Sequence, residues 1–328
     1  MIISKTPYRL SLFGGGADYP SWFTSNETKL VSAAMANYCY ISVKELPPYF
    51  DYINRVIYSK IESVRTFDEI EHPSVRACLQ YLQVPNGISI SHDGDLPARS
   101  GIGSSSSFTV GLINALQVYL NRYQLSQFDL AMEAINIEQN VIGESVGVQD
   151  QIMAAYGGIK VIELSGANMK VRDLRMRDSY TEDFESHIML GFSGISRLSE
   201  VQAKKQVDSI KEGKSNRILL EMQELTRFAI EAFETHSPFS EIGLFLQQQW
   251  ELKRTLTDTV SSDHINSIYT DAIKAGAYGG KLMGAGGGGF FMFLAPPDAH
   301  QRIKEALKQI NVWIPFKFDY EGSKIIMR

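Results

Sequence analysis

Cysteine is nearly absent from this chain of 328 residues; Cys39 and Cys78 are the only two. Two thiols are too few for a disulfide framework or a four-thiolate zinc site. Long apolar runs are missing as well. No stretch offers the ~18 uninterrupted apolar residues of a spanning helix, and MIISKTPYRL lacks the apolar centre of a signal peptide. The six histidines, at 72, 92, 187, 236, 264 and 300, show no HExxH or other close ligand spacing, so each reads as a surface or structural residue. An excess of one charge is also lacking. Lys and Arg total 32 against 37 Asp and Glu, for a net charge of −5. The basic residues are scattered, which removes the electrostatic footprint of a nucleic-acid binder. The expectation is a soluble, cytoplasmic protein with a small-molecule partner, no nucleic acid and no membrane. A homodimer is compatible with the sequence but not specified by it.

Apolar residues make up 44% of the chain, with 17 Phe and 15 Tyr, enough for a sizeable core. At roughly 100–200 residues per domain, the length predicts two domains. The most polar and least periodic stretch, ANMKVRDLRMRDSYTEDFE (167–185), marks the boundary and gives expected domains of 1–183 and 184–328. Before it, IISKTPYRLSLF and LVSAAMANYCYISVKE read as strands, HPSVRACLQYLQV as a helix, and GISISHDGDLP as a strand entering a serine-rich loop. LSQFDLAMEAINIEQNVIG, capped by Ser126, and VQDQIMAAYG read as two further helices. Beyond the boundary come a strand (HIMLGFSG), helical patterns over 199–235 and 239–257, the helix SDHINSIYTDAIKAG and the strand FFMFLA. The helix DAHQRIKEALKQI and closing strands PFKFDY and SKIIMR complete the series. This order predicts an α+β fold, its second half an antiparallel sheet with helices on one face.

Glycine is concentrated in three loops, at 14–16, 101–107 and 284–289. The middle one, GIGSSSS, runs directly into a helix, because Phe108, Leu112, Ala115, Leu116 and Tyr119 recur at helical intervals. Unpaired N–H groups at a helix N-terminus, aided by the macrodipole, form an anion site. Glycines let the backbone approach phosphates, and a serine hydroxyl can ligate the Mg²⁺ that accompanies a nucleotide. Taken alone, the loop is equally a serine cap with a generous lead-in. KEGKS (211–215) makes no P-loop, since Asp208 stands where the first glycine is required. Gly284-x-Gly286-x-x-Gly289 follows a helix and precedes a strand, the reverse of the dinucleotide-binding context. Glu138 and Asp150 lie twelve residues apart across IEQNVIGESVGVQDQ. A kinase needs one carboxylate for Mg²⁺ and another at the attacking hydroxyl, although each acid taken singly reads more readily as an ordinary helix acid.

Three segments together resemble the signature motifs of the GHMP small-molecule kinases: TPYRLSLFGGGADYP, LPARSGIGSSSSF and KLMGAGGGGFFMFL, in that order. IEQNVIGESVGVQDQIMAAYGG is similar to the family's acidic segment. The resemblance implies a ribosomal-protein-S5-like N-terminal domain, a ferredoxin-like C-terminal domain, and the cofactors ATP and Mg²⁺. It implies Asp150 as the catalytic aspartate with Arg9 as its basic partner, and Ser105 with Glu138 as the Mg²⁺ ligands. Gly101, Gly103, Ser104, Ser105 and Ser106 would line the ATP phosphates. Gly15, Gly16 and Asp18 would meet the sugar, and the loop carrying Gly286 and Gly287 would close on the substrate side.

Within that family, GGGADYP, GSSSSFTVGL, GVQDQ and GFSGISRLSEVQAKKQ are similar to the D-glycero-D-manno-heptose 7-phosphate kinases. These phosphorylate the anomeric C1 hydroxyl to give the 1,7-bisphosphate of surface-glycan heptose biosynthesis. Ala17 departs from that pattern, where Thr or Ser is expected. A 7-phosphate needs cationic partners, and Arg197 and Lys281 are the candidates, each equally readable as a solvated surface charge. The alternatives are a kinase for a neutral sugar such as fucose or galactose, and a non-catalytic ligand sensor on the same fold.

Overall fold

In a computed structural model, described for residues 1–194, 199–257 and 260–328, with the side chains of 199–201 outside the description, the chain forms two sheets. The first contains β1 (Ile2–Phe13), β2 (Thr28–Glu45), β3 (Asn54–Ile57), β4 (Ile61–Val64), β5 (Ile88–Gly94), β6 (Ile159–Ser165) and β7 (Asn168–Asp173). The second is built from β8 (Ile188–Phe192), β9 (Gly279–Leu282), β10 (Phe290–Leu294) and β11 (Val312–Ile314) in the order β11-β8-β10-β9, every pair antiparallel. The last strand, β12 (Lys324–Met327), returns to the first sheet and pairs with β1, Ile3 opposite Met327. The strand SKIIMR, expected within 184–328, therefore belongs to the first sheet.

β2 organises that sheet. Its run of β-branched, aromatic and small residues stays extended for 18 residues, with β1 along one edge. The other edge is shared, Thr28–Ala33 pairing with β6 and Cys39–Glu45 with β5. Between those partners the ladder is completed by loops, through Ala34 N–H to the Gly158 carbonyl and Ala36 N–H to the Lys317 carbonyl. PFKFDY, expected as a strand, supplies here only the single bridge from Phe318 to Met35.

The helices are α1 (Pro20–Phe23), α2 (Pro73–Tyr81), α3 (Ser104–Tyr119), α4 (Gln127–Asn136), α5 (Gln149–Tyr156) and α6 (Asp178–Ser186) in the first half. The second half adds α7 (Ser199–Lys211), α8 (Asn216–Glu234), α9 (Phe239–Arg254), α10 (Asp263–Lys274) and α11 (His300–Ala306). α3 packs on β1 and β2 and is buried from Ser106 to Gln117. Ser126 caps α4 by accepting the Asp129 N–H. The stretch 167–185, read as the least periodic part of the chain and as the domain boundary, forms β7 and α6. Its polarity follows from position: β7 has no fully buried residue, and α6 buries only Phe184. No helix among the described residues is long and apolar enough to cross a membrane.

Candidate active site

β1 carries Arg9 into the interior, where it is only 6% exposed. A guanidinium cannot be buried unpaired without a large desolvation cost, and three hydrogen bonds to two partners meet it. Nε donates to Asp150 Oδ1 at 2.6 Å, Nη2 to Asp150 Oδ2 at 2.9 Å, and Nη1 to the Gly101 carbonyl at 2.5 Å. The first two bonds form a bidentate fork, the strong geometry for an Arg–carboxylate pair. Asp150 sits in the first turn of α5, whose dipole favours a negative charge there. The fork therefore joins β1, the start of α5 and the serine loop at one point.

The loop itself is shaped by glycines. Gly101 has φ +81°, and a Cβ on it would stand 2.6 Å from the Met283 carbonyl oxygen. Gly103, at φ +74°, is the residue before α3, and a Cβ there would crowd Arg9 and Asp150 at 3.0 and 3.1 Å. Arg99 also adopts a left-handed φ, +59°, with its N–H on Ser104 Oγ. The first-turn N–H groups of α3 have no intrahelical acceptor. Gly101, Gly103, Ser104, Ser105 and Ser106 line one open cavity with Arg9 and Asp150.

Glu138 lies beneath that cavity, fully buried. The helix predicted through NVIG is α4 followed by a π-helical turn, Ile137–Ile142, which ends at Gly143 in the left-handed region. Glu138 Oε2 accepts from Ser106 Oγ at 2.9 Å and Gln151 Nε2 at 2.5 Å, whereas Oε1 has no hydrogen-bond partner among the described residues. Burial raises its carboxyl to about 7, against the opposing effect of the nearby Thr109 hydroxyl and of the Ser106 and Gln151 hydrogen bonds, Thr109 itself donating to the Ser105 carbonyl. The hydroxyl on Glu138 is thus that of Ser106, while Ser105 is an exposed residue lining the cavity.

Asp18 is also buried and lines the same cavity. Its Oδ1 accepts the Gly16 N–H at 3.0 Å and its Oδ2 the Gln149 N–H at 3.4 Å. Burial raises its carboxyl, and the Asp150 charge adds to that. Gly15 and Gly16 complete this wall, Gly16 giving its carbonyl to Gln206 Nε2 from α7 at 3.4 Å.

The third glycine loop meets the first two unevenly. Gly284 and Ala285 line the cavity, with Gly284 packed face to face on Gly101, and the Phe290 N–H bonds the Ser100 carbonyl at 3.0 Å. Gly286 and Gly287 instead turn away from it onto Val260, to whose carbonyl the Gly287 N–H donates.

Lys281 requires correction as a phosphate partner. β9 is buried at all four positions, and the Lys281 ammonium is spent on the Leu12 carbonyl at 3.1 Å inside the protein. It is not among the residues lining the cavity. Arg197 lies outside the described residues. Sequence reasoning missed Lys253, which lines the cavity from α9, and Arg99. A signal for the first existed: Phe239, Ile242, Leu246, Gln249, Trp250 and Lys253 recur at helical spacing, which puts a lysine on the apolar stripe.

A half-buried, Arg-clamped carboxylate in the first turn of a helix, with a buried acid below, has the parts that transfer of a charged group requires. Among the described residues, no group of three or more His, Cys, Asp or Glu forms a metal cluster. Residues 71–158 match the model described as the GHMP kinases N terminal domain, and 229–311 the one described as GHMP kinases C terminal. Over 98% of both proteins, the chain is 28% identical to the D-glycero-alpha-D-manno-heptose 7-phosphate kinase of Campylobacter jejuni. A D-glycero-D-manno-heptose 1-phosphate kinase structure from Bacteroides thetaiotaomicron shares its fold with a TM-score of 0.80 at 22% identity, covering 100% of this chain and 99% of that one. Lactococcus lactis galactokinase, complexed with galactose, does so with a TM-score of 0.71 at 16% identity over 99% and 94%. With both family segments matched across more than half its length and the whole fold shared, the chain belongs to the GHMP kinase family.

Proposed function

We propose that this kinase transfers the γ-phosphoryl group of ATP to the anomeric hydroxyl of D-glycero-D-manno-heptose 7-phosphate, giving the 1,7-bisphosphate. The observation that carries the chemistry is the Arg9–Asp150 fork beside the serine loop. The sugar's identity rests on the name of the Campylobacter relative. In this reading the N-terminus of α3 and the Gly101–Ser106 loop receive the ATP phosphates. The Asp150 carboxylate accepts the proton of the attacking hydroxyl, and Arg9 both aims that carboxylate and offsets charge on the group in flight. Asp18, held by backbone N–H groups, accepts hydrogen bonds from sugar hydroxyls.

Glu138 suits a divalent cation. Its Oε1 is buried without a partner among the described residues, and an uncompensated carboxylate in the interior is costly unless a positive charge joins it. Glu138 with the Ser105 or Ser106 hydroxyl would hold Mg²⁺, which when bound would neutralise charge on the nucleotide phosphates.

The test is a coupled assay with ATP, Mg²⁺ and a panel holding the heptose 7-phosphate, the heptose 1-phosphate, fucose, galactose and mevalonate. The expected result is turnover of the 7-phosphate, with a new anomeric phosphate resonance in the ³¹P spectrum. Turnover of neutral hexoses but not of sugar phosphates would overturn the assignment. Asp150→Asn should cut turnover by at least ~10²-fold while nucleotide still binds. Near-normal turnover in that variant would refute the mechanism.

A further inference from the structure

Lys253 stands near the C-terminal end of α9 and is 5% exposed, yet it lines the cavity. Its Nζ donates to the Gly284 carbonyl at 2.6 Å. Gly284 in turn packs on Gly101, whose carbonyl accepts from Arg9. The ammonium therefore sits at the end of a short connected path: Asp150, Arg9, Gly101, Gly284, Lys253. An ammonium carries three N–H donors, and Gly284 accounts for one. The charges that face it are Arg9 from β1, Asp18 from the turn after β1, Asp150 from α5 and Lys281 from β9. From α8, Met222 and Thr226 meet this part of α9 as partners of Gln249.

Arg9 and Asp150 largely satisfy each other, and Lys281 is spent on Leu12. Lys281, like Lys253, gives one bond to a carbonyl, but among the described residues of this group only Lys253 is an ammonium that both lines the cavity and keeps donors without a protein acceptor. Its company is the transfer pair, not an outer end of the cavity. A positive charge held at such a place, itself buried and so weakly screened by water, acts on charge that develops during reaction.

We propose that Lys253 is a second catalytic cation, contacting the phosphoryl group as it passes from nucleotide to acceptor. This rests on the kinase reading above but not on which sugar is the acceptor. In the step, the acceptor oxygen forms its bond to the γ-phosphorus while the bond from that phosphorus to the β,γ-bridging oxygen breaks. That electron pair leaves on ADP, and the hydroxyl proton goes to Asp150. Lys253 stays protonated throughout. Burial, with Arg9 adding to it, lowers its ammonium to about 8. Activity that needs the protonated form is full below that pH and falls as pH rises through it.

The experiment compares wild type, Lys253→Met and Lys253→Arg, using whichever acceptor the wild type turns over best. Lys253→Met should lower kcat by about 10²-fold with KM for both substrates changed less than threefold. Calorimetry should show its affinity for ADP with aluminium fluoride and the acceptor, a mimic of the group in flight, falling by a similar factor, with affinity for ADP alone retained. Lys253→Arg should recover at least a tenth of the wild-type kcat and move the alkaline limb from near pH 8 to beyond pH 10. The proposal is overturned if Lys253→Met keeps kcat, or if only the KM of a phosphorylated acceptor rises. An unchanged alkaline limb in Lys253→Arg also overturns it. Failure of the heptose assignment appears separately, as a wild type inactive on that sugar.

Discussion

Replacing Glu138 with Gln should make the protein more stable and inactive, and the gain should depend on pH. Ionising this carboxyl is harder in the folded protein, where burial raises it from 4.5 to about 7, than in the unfolded chain. The native state therefore gives up stability as pH rises from the unfolded value toward the folded one, and the loss levels off above that. At about 1.4 kcal/mol per pH unit of difference, the penalty grows from about 1 kcal/mol at pH 5 to about 3 kcal/mol at pH 8. A Gln carries no such penalty. Its amide oxygen can take the place of Oε2 as acceptor for Ser106 and Gln151, and its amide nitrogen the place of the unpartnered Oε1. For a chain of this size, 3 kcal/mol corresponds to a rise in melting temperature of about 4 °C. Scanning calorimetry from pH 5 to pH 8, without nucleotide or metal, would show the two melting temperatures diverging with pH. A difference that is constant with pH, or a variant less stable at pH 8, would refute the reasoning. Loss of turnover in the same variant would mark Glu138 as a residue retained for function at a cost in stability.

The two serines should separate. Ser106→Ala removes a donor from a buried carboxylate and should cost about 1–2 kcal/mol of stability at pH 8, whereas Ser105→Ala should leave melting unchanged and raise the Mg²⁺ concentration needed for half-maximal turnover at least tenfold. Thermal melts with a Mg²⁺ titration of activity check both, and the reverse pattern would move the metal-ligand assignment to Ser106. Gly101→Ala combines a left-handed φ with a Cβ 2.6 Å from a carbonyl oxygen. It should destabilise by at least about 2 kcal/mol and weaken ATP binding; unchanged melting and ATP affinity would show that the loop yields.

The elements that position the site were largely legible. β1 and the helix after the serines follow from local signals, alternation and spacing after a glycine loop, whereas Glu138 and Asp150 stand out only through the resemblance of their whole segment to the family's acidic stretch. Hidden features share a cause, which is that their environment is assembled from distant segments. The polar stretch 167–185 folds because an edge strand and a surface helix need little apolar material. Lys281 reads as a surface cation because nothing local reveals that β9 is covered on both faces. Ser106 rather than Ser105 reaches Glu138 because of the rotation of α3 against the π-helical turn, and four identical residues in a row carry no mark of phase. Lys253 was visible as a lysine on an apolar stripe, but the cavity beneath it was not.

The pairing of β1 with β12 bears on the order of assembly. Ile3 meets Met327, and the Ser323 hydroxyl joins Thr6 and Asn114 across the same seam. Closing so large a loop costs entropy that grows as the logarithm of its length, and contacts this remote in sequence form slowly. The expected order therefore leaves one flank of the strand that carries Arg9 to be closed last, when the final segment arrives. Recovery of activity in refolding should lag behind formation of the first sheet, with the closing strand as its timer.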